Sequence, residues 1–343
     1  MSRPFWAFTS ASKQGIIRYG LSPRRWRIRD TRSYLTWKEL THKEFASEPF
    51  LINPYVPTGG IVFMWGDTSV GKSPLGWAMA GCIATGTPFC GLPTQKGKAL
   101  YIELDTPERL VAERLRKLRL QPEAGADFLF LPPLSVPVLA REDLAKLHEA
   151  AERGYDFVVV NTLRKCHSLN DKEAQTPKIV YEFFQRAFPG AALMFVHHSK
   201  KSQLNQATGS YESGLDKESF SGAKNWINDA QVGIYLRKFK NPRTHTNLSL
   251  RHEKTQVSAE YAPLGLRLEA DGSNLSCPEA EQLAQARLLL ADGLASGLGP
   301  TRIDEKVALE LRVSQASARR LRLSSYEEVW MGLKDDSQEE EEE

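Results

Sequence analysis

The chain has 343 residues, 41% of them hydrophobic and 25% charged, with a net charge of +3, a composition typical of globular proteins. No apolar run approaches the ~18–20 residues of a membrane span, and the first residues lack the compact apolar segment of a signal peptide, so we expect no membrane insertion and a cytoplasmic location. The four cysteines, Cys82, Cys90, Cys166 and Cys277, match no metal-ligand or disulfide spacing, which favours buried free thiols.

Residues 1–47 are predicted to form a basic arm with little periodicity. They contain ten basic and three acidic side chains, whereas residues 335–343 contain seven acidic and no basic ones and are disordered by composition. The small net charge therefore hides two opposite charge concentrations. The run from Arg24 to Arg29 interleaves cations with Trp26, which suits phosphate and base contacts. Packing of the arm across a neighbouring subunit is an equally good alternative.

Residues 48–275 are predicted to form an α/β domain. Amphipathic stretches such as Glu108–Leu118 and Glu142–Arg153 indicate helices, and apolar runs between them indicate strands buried on both faces. The predicted strands are Gly60–Trp65, Ala99–Leu104, Phe157–Val160, Leu193–Val196, Gln231–Leu236, Leu248–His252 and Gly265–Leu268. This alternation predicts a doubly wound, mainly parallel sheet. The last three strands have no helices between them, so they predict a β-rich extension of that sheet.

The segment from Gly66 to Ser73 matches the pattern G-x-x-x-x-G-K-[ST] of a phosphate-binding loop at every fixed position. An apolar strand precedes it and a helical stretch follows, so the backbone N–H groups and the helix dipole would converge on an anion. Lys72 is predicted to reach the β- and γ-phosphates of ATP, and Ser73 to ligate Mg²⁺. The predicted nucleotide-binding residues of the loop are Gly66, Asp67, Thr68, Ser69, Val70, Gly71, Lys72 and Ser73.

Several further segments follow the loop at intervals that resemble those of a known family. They are Gly97–Ile102, Asp105–Glu108, Phe157–Arg164 and Phe195–Lys200. With the loop, they make residues 48–270 resemble the RecA-like P-loop ATPases of the RepA-type hexameric replicative helicase family. The resemblance implies a RecA-like fold and a homo-oligomeric, hexameric ring. It also implies ATP and Mg²⁺ bound between subunits, action on single-stranded DNA, and replication proteins of a phage or plasmid-like element as partners.

The resemblance also implies roles for residues outside the loop, and three of them depart from the family pattern. Asp105 stands where the water-polarising glutamate is expected, and Glu103 is a second candidate acid. Asn161 stands where an aspartate orders the water shell of Mg²⁺, so it brings no charge to the metal site. Lys254 matches the lysine of a finger motif that reaches the neighbouring subunit, but Gln256 replaces its arginine. These departures predict slow hydrolysis, because such groups stabilise the transition state.

Two more side chains are predicted to lie near the nucleotide. His198, together with Lys200, is the candidate that senses the γ-phosphate and couples it to DNA-holding loops. Arg114 would stack on the adenine, or else be a solvated helix charge. The polar segments Lys165–Thr176 and Lys200–Ser219 are predicted to line a channel for single-stranded DNA, with mere mobility as the alternative.

Residues 276–334 are predicted to form a helical unit with a helix-turn-helix rhythm. Thr301–Leu311 would be one helix, and Ser314 would cap a second helix over Gln315–Leu323. Three side chains of that second helix share a face, as in a recognition helix: Gln315, Arg319 and Arg322. Because the unit carries balanced charge, a protein-docking unit remains the alternative to DNA binding.

Two functional hypotheses follow from the sequence. The first is a ring ATPase acting on single-stranded DNA as a replicative helicase, favoured by the resemblance and the polar segments. The second is a nucleotide-gated DNA-binding or helicase-loader protein with weak or no hydrolysis, favoured by the three departures. A metabolic kinase is disfavoured, because the sequence shows no acceptor-binding lid.

Overall fold

The computed structural model describes residues 36–43, 49–66, 68–117, 126–198, 203–204, 211–212, 224–238, 245–256, 263–269 and 275–323. The helices are α1 (Trp37–Thr41), α2 (Lys72–Thr85), α3 (Glu108–Lys117), α4 (Arg141–Glu152), α5 (Thr176–Ala187), α6 (Asn225–Asn228), α7 (Pro278–Ala295) and α8 (Pro300–Glu310). The strands are β1 (Phe50–Ile52), β2 (Val56–Pro57), β3 (Ile61–Gly66), β4 (Ala99–Glu103), β5 (Asp127–Phe130), β6 (Phe157–Asn161), β7 (Ala192–His198), β8 (Gln203–Leu204), β9 (Tyr211–Glu212), β10 (Val232–Lys238), β11 (His245–Thr255), β12 (Leu264–Glu269) and β13 (Leu275–Ser276).

A nine-stranded sheet organises the described part of the chain, in the order β13-β12-β11-β10-β3-β7-β6-β4-β5. The six strands from β10 to β5 are parallel to one another, and β11, β12 and β13 continue the sheet in antiparallel fashion. This topology confirms the predicted doubly wound, mainly parallel sheet with a β-rich extension. All seven predicted strands are present, whereas the short strand β5 and helix α5 were not predicted.

Helices cover both faces of the sheet, which is why its central strands are apolar throughout. Side chains alternate between faces along a strand. Val159 therefore packs in the layer that contains α2 and α3, while Val158 and Val160 pack in the layer that contains α4 and α5. Four strands end at the same edge with the residues Gly66, Glu103, Asn161 and His198. Parallel strands thus bring residues from four distant segments to one edge, where α/β proteins place their ligands.

The cysteine pairing differs from the sequence prediction. Cys90 and Cys277 form a disulfide, with their Cα atoms 5.3 Å apart although 187 residues separate them. Cys82 and Cys166 are free, as expected. The prediction of four free thiols is wrong for the first pair, because spacing along the chain carries no signal for residues that only the fold brings together. The bridge joins the turn after α2 to the start of α7.

The C-terminal unit forms the predicted sequence of helices: α7, α8 and a further helical stretch over residues 315–323. Ile303 and Val307 of α8 pack with Leu290 of α7 in a small core of their own. Ser314 caps the last helix as predicted, because its hydroxyl accepts the Ser317 N–H at 3.2 Å. The division of the chain into domains stays a prediction.

One member of the predicted recognition face is engaged within this unit. The guanidinium group of Arg322 donates to both carboxylate oxygens of Asp304 on α8, at 2.7 and 3.3 Å. Arg322 therefore holds two helices together, whereas Gln315 and Arg319 are exposed. Sequence periodicity places a residue on a face, but it does not reveal a partner on the neighbouring helix.

Some predictions lie largely or wholly outside the described residues. These are the acidic tail, Asp67, Lys200, most of the basic arm and most of the segment Lys200–Ser219. Within the described part of the chain, no helix combines the length and the apolar character needed to cross a membrane.

Candidate functional site

The phosphate-loop sequence forms a tight turn between β3 and α2. Gly71, with φ of 101°, precedes α2 in a left-handed conformation that side chains disfavour, and no side chain caps the helix. Gly66 lies so close to β10 that a Cβ atom there would run into the carbonyl oxygen of Leu236. The ammonium group of Lys72 donates to the Gly66 carbonyl at 2.8 Å, which holds the lysine across the turn. The two glycines are thus required by backbone shape and by close packing, respectively.

A cavity of about 390 Å³ opens beside this turn. Its lining combines the loop with α3, the ends of β6 and β7, and β12. The lining residues are Ser69, Val70, Gly71, Lys72, Ser73, Pro74, Trp77, Asp105, Arg114, Lys117, Asn161, Thr162, His198 and Leu268. The fold therefore brings nine of the predicted site residues around one space: Ser69, Val70, Gly71, Lys72, Ser73, Asp105, Arg114, Asn161 and His198. Glu103 and Lys254 are not among the lining residues.

The Asn161 side chain connects the loop to Glu103. Its Nδ2 donates to Glu103 Oε2 at 2.8 Å and lies 3.3 Å from Ser73 Oγ. Strand register explains the first contact, because Glu103 and Asn161 are paired neighbours at the ends of β4 and β6. Asn161 Oδ1 is buried and has no hydrogen-bond partner among the described residues. Among the described residues, the only buried carboxylate next to the loop is therefore that of Glu103 on β4. The family pattern places a carboxylate at the end of β6, where this chain has Asn161.

Glu103 is itself almost completely enclosed, with 1% of its surface exposed. Its Oε1 accepts the backbone N–H groups of Asp105 and Thr106, both at 2.9 Å. Burial raises the pKa of the Glu103 carboxyl, and these hydrogen bonds and the one from Asn161 oppose that rise. Both oxygens are thus occupied by donors, and the side chain fixes the backbone that carries Asp105.

Asp105 is exposed at the cavity and is paired with a lysine. The Lys165 ammonium lies 2.6 Å from its Oδ1. Lys165 ends the short helical turn Leu163–Lys165 that follows β6. The predicted water-polarising acid therefore already has a counter-ion from the segment that was predicted to line a DNA channel.

His198 and His197 face opposite sides of the end of β7. His198 lines the cavity, and burial together with the nearby Lys72 charge lowers its pKa, so the ring is neutral near pH 7. His197 is buried, with its ring centroid 5.8 Å from that of Phe63. Of the two histidines, His198 is the one that lines the cavity, and its role as γ-phosphate sensor stays a prediction.

Lys254 lies on β11 opposite Gly233 of β10. Gly233 in turn pairs with Phe63 of β3, three residues before that strand ends at Gly66. The ammonium group of Lys254 donates to the main-chain carbonyls of Ile227 and Ala230, at 2.9 and 2.6 Å, and to that of Asn228. These bonds cap the end of α6. The finger role stays a prediction, and it requires these bonds to break.

The segment Lys165–Thr176 is more ordered than a simple polar loop. The His167 ring is buried and stacks on Trp226 with centroids 5.6 Å apart, and its Nε2 lies 3.0 Å from Asp171 Oδ1. Asp171 also pairs with Arg164. The contacts of Asp171 with His167 and Arg164 hold the base of the segment, while Ser168, Asn170 and residues 172–175 are exposed. The channel role stays a prediction for those exposed residues.

Sequence reasoning missed several lining residues. Lys117 lies one helical turn after Arg114 on α3, so helix periodicity would have found it. Leu268 approaches the loop from β12, and a Cβ atom on Gly71 would lie 3.1 Å from it. No local signal predicts that contact, because it depends on how the β-rich extension packs over the loop.

One family model and several solved structures are similar to this chain. The model of a family described as an AAA domain matches residues 22–203, just over half of the chain. No curated protein sequence matches. The crystal structure of a KaiC-like protein from Pyrococcus horikoshii OT3 is similar with a TM-score of 0.43 and 9% identity, over 66% of this chain and 92% of that one. The RadB recombinase structure is similar with a TM-score of 0.42 and 14% identity, over 64% of this chain and 91% of that one.

Proposed function

The chain belongs to this AAA-domain family and is a RecA-like P-loop ATPase, and on that premise we propose that it binds ATP and Mg²⁺ at the phosphate loop and uses them to act on single-stranded DNA. One observation carries the proposal. A cavity at the end of the parallel strands is lined by the loop residues Lys72 and Ser73, by the acid Asp105 and by His198, which come from distant parts of the chain.

The loop supports the binding of a triphosphate in two ways. Helix α2 begins at Lys72 without a side-chain cap, so the N–H groups of its first turn suit phosphate oxygens. The Lys72 ammonium is bonded to a neutral carbonyl of the loop. Exchanging that carbonyl for a charged phosphate oxygen gives a stronger, charge-assisted hydrogen bond. The electrostatic interaction of Lys72 therefore becomes more favourable when a polyphosphate binds.

The residues beside the loop also fit Mg²⁺. This ion prefers oxygen ligands, keeps several of its waters, and commonly binds one or two protein groups together with the phosphates. The Ser73 hydroxyl is one such oxygen, and the buried, unpartnered Asn161 Oδ1 is another that suits a metal-bound water. In the described part of the chain no cluster of three or more His, Cys, Asp or Glu side chains suits a metal. A cation carried by the nucleotide fits this donor set better than a protein cage does.

The remaining side chains suit the transfer step. When bound, Mg²⁺ supplies charge neutralisation at the β- and γ-phosphates. Lys72 adds a fixed positive charge there, and Asp105 orients the attacking water once its carboxylate leaves Lys165. The neutral His198 ring offers one N–H to a terminal phosphate oxygen. Arg114 on α3 is exposed at the cavity wall, where it stacks on the base.

Single-stranded DNA and a ring-shaped homo-oligomer complete the proposal. The basic arm and the exposed Arg319 and Arg320 on the last helix suit phosphate contacts. The exposed part of Lys165–Thr176 follows β6 at the edge where the nucleotide cavity opens. Lys254 supports assembly if it reaches a neighbouring subunit. A replicative helicase with six subunits and replication partner proteins is the specific form of this activity that we propose.

A second function is favoured by the pairing of Asp105 with Lys165. A carboxylate oxygen paired with a lysine is not free to orient the attacking water, and the uncharged Asn161 and Gln256 weaken the site further. A nucleotide-gated DNA-binding or helicase-loader protein, which binds ATP and turns it over slowly, fits these features. The two functions differ in turnover with single-stranded DNA and in strand separation.

The test combines nucleotide binding, hydrolysis and strand separation. Lys72→Ala is expected to abolish ATP binding, whereas Lys146→Ala, an exposed lysine on α4, is expected to leave it unchanged. Equal affinity in parent and Lys72→Ala would disprove nucleotide binding at the loop. ATP hydrolysis that rises with single-stranded DNA, together with unwinding of a forked duplex, supports the helicase. ATP-dependent DNA binding without either supports the loader.

A further inference from the structure

The buried carboxylate of Glu103 lies beside the phosphate loop, close to where an acid that orders the water shell of Mg²⁺ is expected. The strand predicted to carry that acid ends in the neutral Asn161, and the neighbouring strand β4 ends in Glu103 at the same level of the sheet. The two side chains are hydrogen bonded at 2.8 Å. The negative charge is therefore present beside the loop, but one strand away from its expected position.

Keeping this carboxylate buried is costly unless it is bonded, because an ionised carboxylate loses several kcal/mol of hydration when it is enclosed. Three donors offset that loss: the N–H groups of Asp105 and Thr106, and the Asn161 amide. Two of the three partners belong to the cavity lining. The hydrogen bonds of Glu103 therefore orient two residues of the cavity lining, Asp105 and Asn161.

The hydrogen bond determines which way the Asn161 amide points. Its NH₂ group faces the acceptors Glu103 Oε2 and Ser73 Oγ, and its carbonyl oxygen is left buried and without a hydrogen-bond partner among the described residues. The reversed amide would set its oxygen against the carboxylate, which disfavours that orientation. Glu103 thus fixes the orientation of the Asn161 amide beside Ser73, the residue predicted to ligate the metal, and leaves the amide oxygen available to a ligand.

We propose that Glu103 and Asn161 together replace the single aspartate that orders Mg²⁺ beside a phosphate loop. Glu103 supplies the negative charge and fixes the amide, and Asn161 presents its carbonyl oxygen to the water shell of the ion. Glu103 is then a positioning residue, because it is 1% exposed and does not line the cavity. The inference rests on the proposed binding of ATP and Mg²⁺.

The same geometry assigns the water-orienting role to Asp105 rather than to Glu103. Both Glu103 oxygens already accept hydrogen bonds, and the side chain has no open path to the cavity. Asp105 is exposed there. The two acids therefore have different roles. Glu103 fixes Asn161 toward the water shell of Mg²⁺, and Asp105 orients the attacking water.

The measurement is the magnesium benefit, defined as the ratio of the dissociation constants of a fluorescent ATP analogue in EDTA and in Mg²⁺. Glu103→Gln is expected to reduce this ratio about tenfold, equivalent to about 1.4 kcal/mol, with affinity in EDTA close to that of the parent. Asp156→Asn is the matched control. Its carboxylate accepts the Lys98 N–H at 2.8 Å. This bond joins the beginnings of β4 and β6, at the ends of these strands that lie away from Glu103 and Asn161. That control should keep the parental ratio.

Moving the charge provides a second arm of the test. Asn161→Asp alone places two carboxylates at hydrogen-bond distance, where like charges cannot both ionise, so the magnesium benefit should not rise. Combining Glu103→Gln with Asn161→Asp puts one carboxylate back beside the loop and should restore the benefit to the parental level. If Glu103→Gln does not fold, the magnesium benefit of Asn161→Asp still tests the proposal.

The outcomes separate this inference from the proposed function. A parental magnesium benefit in Glu103→Gln, or an increased one in Asn161→Asp, overturns the shared role while leaving nucleotide binding intact. A parent protein that binds no ATP analogue overturns the proposed function itself. A loss of affinity that is equal in EDTA and in Mg²⁺ also overturns the inference, because it shows a purely structural contribution of Glu103.

Discussion

The ammonium nitrogen of Lys165 lies 2.6 Å from a carboxylate oxygen of Asp105. Asp105 faces the nucleotide cavity, and Lys165 begins the polar segment that leads away from it. A carboxylate oxygen paired in this way is not free to accept a hydrogen bond from a water molecule. The pair therefore connects Asp105, the acid that we propose orients the attacking water, to the segment that we expect to meet DNA.

Lys165→Gln is expected to raise the ATPase rate without DNA by up to about fivefold, because an exposed ion pair is worth ~1 kcal/mol or less. Both partners are 41% exposed, which keeps the effect small. The rate of phosphate release with and without single-stranded DNA measures it. Lys172→Gln, an exposed lysine of the same segment, is the control. A lower rate in Lys165→Gln would mean that Lys165 assists hydrolysis.

Gly66→Ala is expected to displace the phosphate loop, because the added methyl group meets the Leu236 carbonyl and lies 3.1 Å from Val70 Cγ1. We expect a loss of ~1–3 kcal/mol in unfolding free energy, as for other overpacked sites, together with weaker ATP binding. Denaturant unfolding and nucleotide titration measure the two effects. Gly299→Ala, where no atom lies within 4 Å of the new methyl group, should change both much less.

Lys254→Met is expected to lower the unfolding free energy by ~1–2 kcal/mol, because the carbonyls of Ile227, Asn228 and Ala230 lose their shared donor. Denaturant unfolding measures this, and Lys238→Met, an exposed residue of β10, is the control. Unchanged stability combined with a loss of ATPase in the assembled protein would instead support a finger that acts on the neighbouring subunit.

His252 predicts a pH dependence of stability. Its ring packs edge-on against Tyr55 with centroids 4.4 Å apart, and burial lowers its pKa from 6.5 to about 4. The unfolded chain therefore binds a proton more readily than the folded one, so this residue reduces stability as the pH falls from 6.5 to about 4. Above that window it has no such effect.

His252→Phe keeps an aromatic ring against Tyr55 and removes the titration. The drop in Tm between about pH 7.5 and about pH 5 should be smaller in this variant than in the parent. His42→Phe, which changes an exposed histidine, should retain the parental drop. An equal drop in parent and His252→Phe would assign the acid sensitivity to other groups.

The phosphate loop and the sheet that carries it can be read from the amino-acid sequence alone. The loop is readable because Gly71, Lys72 and Ser73 act through backbone shape and a helix that begins at the same place, all within one short segment. The central strands are readable because burial on both faces requires continuous apolar runs such as Phe157–Val160. The capping role of Ser314 was predictable for the same reason, since its partner lies three residues away.

The set of side chains that meet at the loop, by contrast, depends on the fold. Glu103 and Asn161 are 58 residues apart, and Cys90 and Cys277 are 187 apart, so strand register and topology create these pairs without any local pattern. The uncharged Asn161 alone predicts that an aspartate there would raise hydrolysis. We propose instead that such an aspartate brings no benefit at the magnesium site, because it would lie at hydrogen-bond distance from the Glu103 carboxylate, and the fold sets that distance.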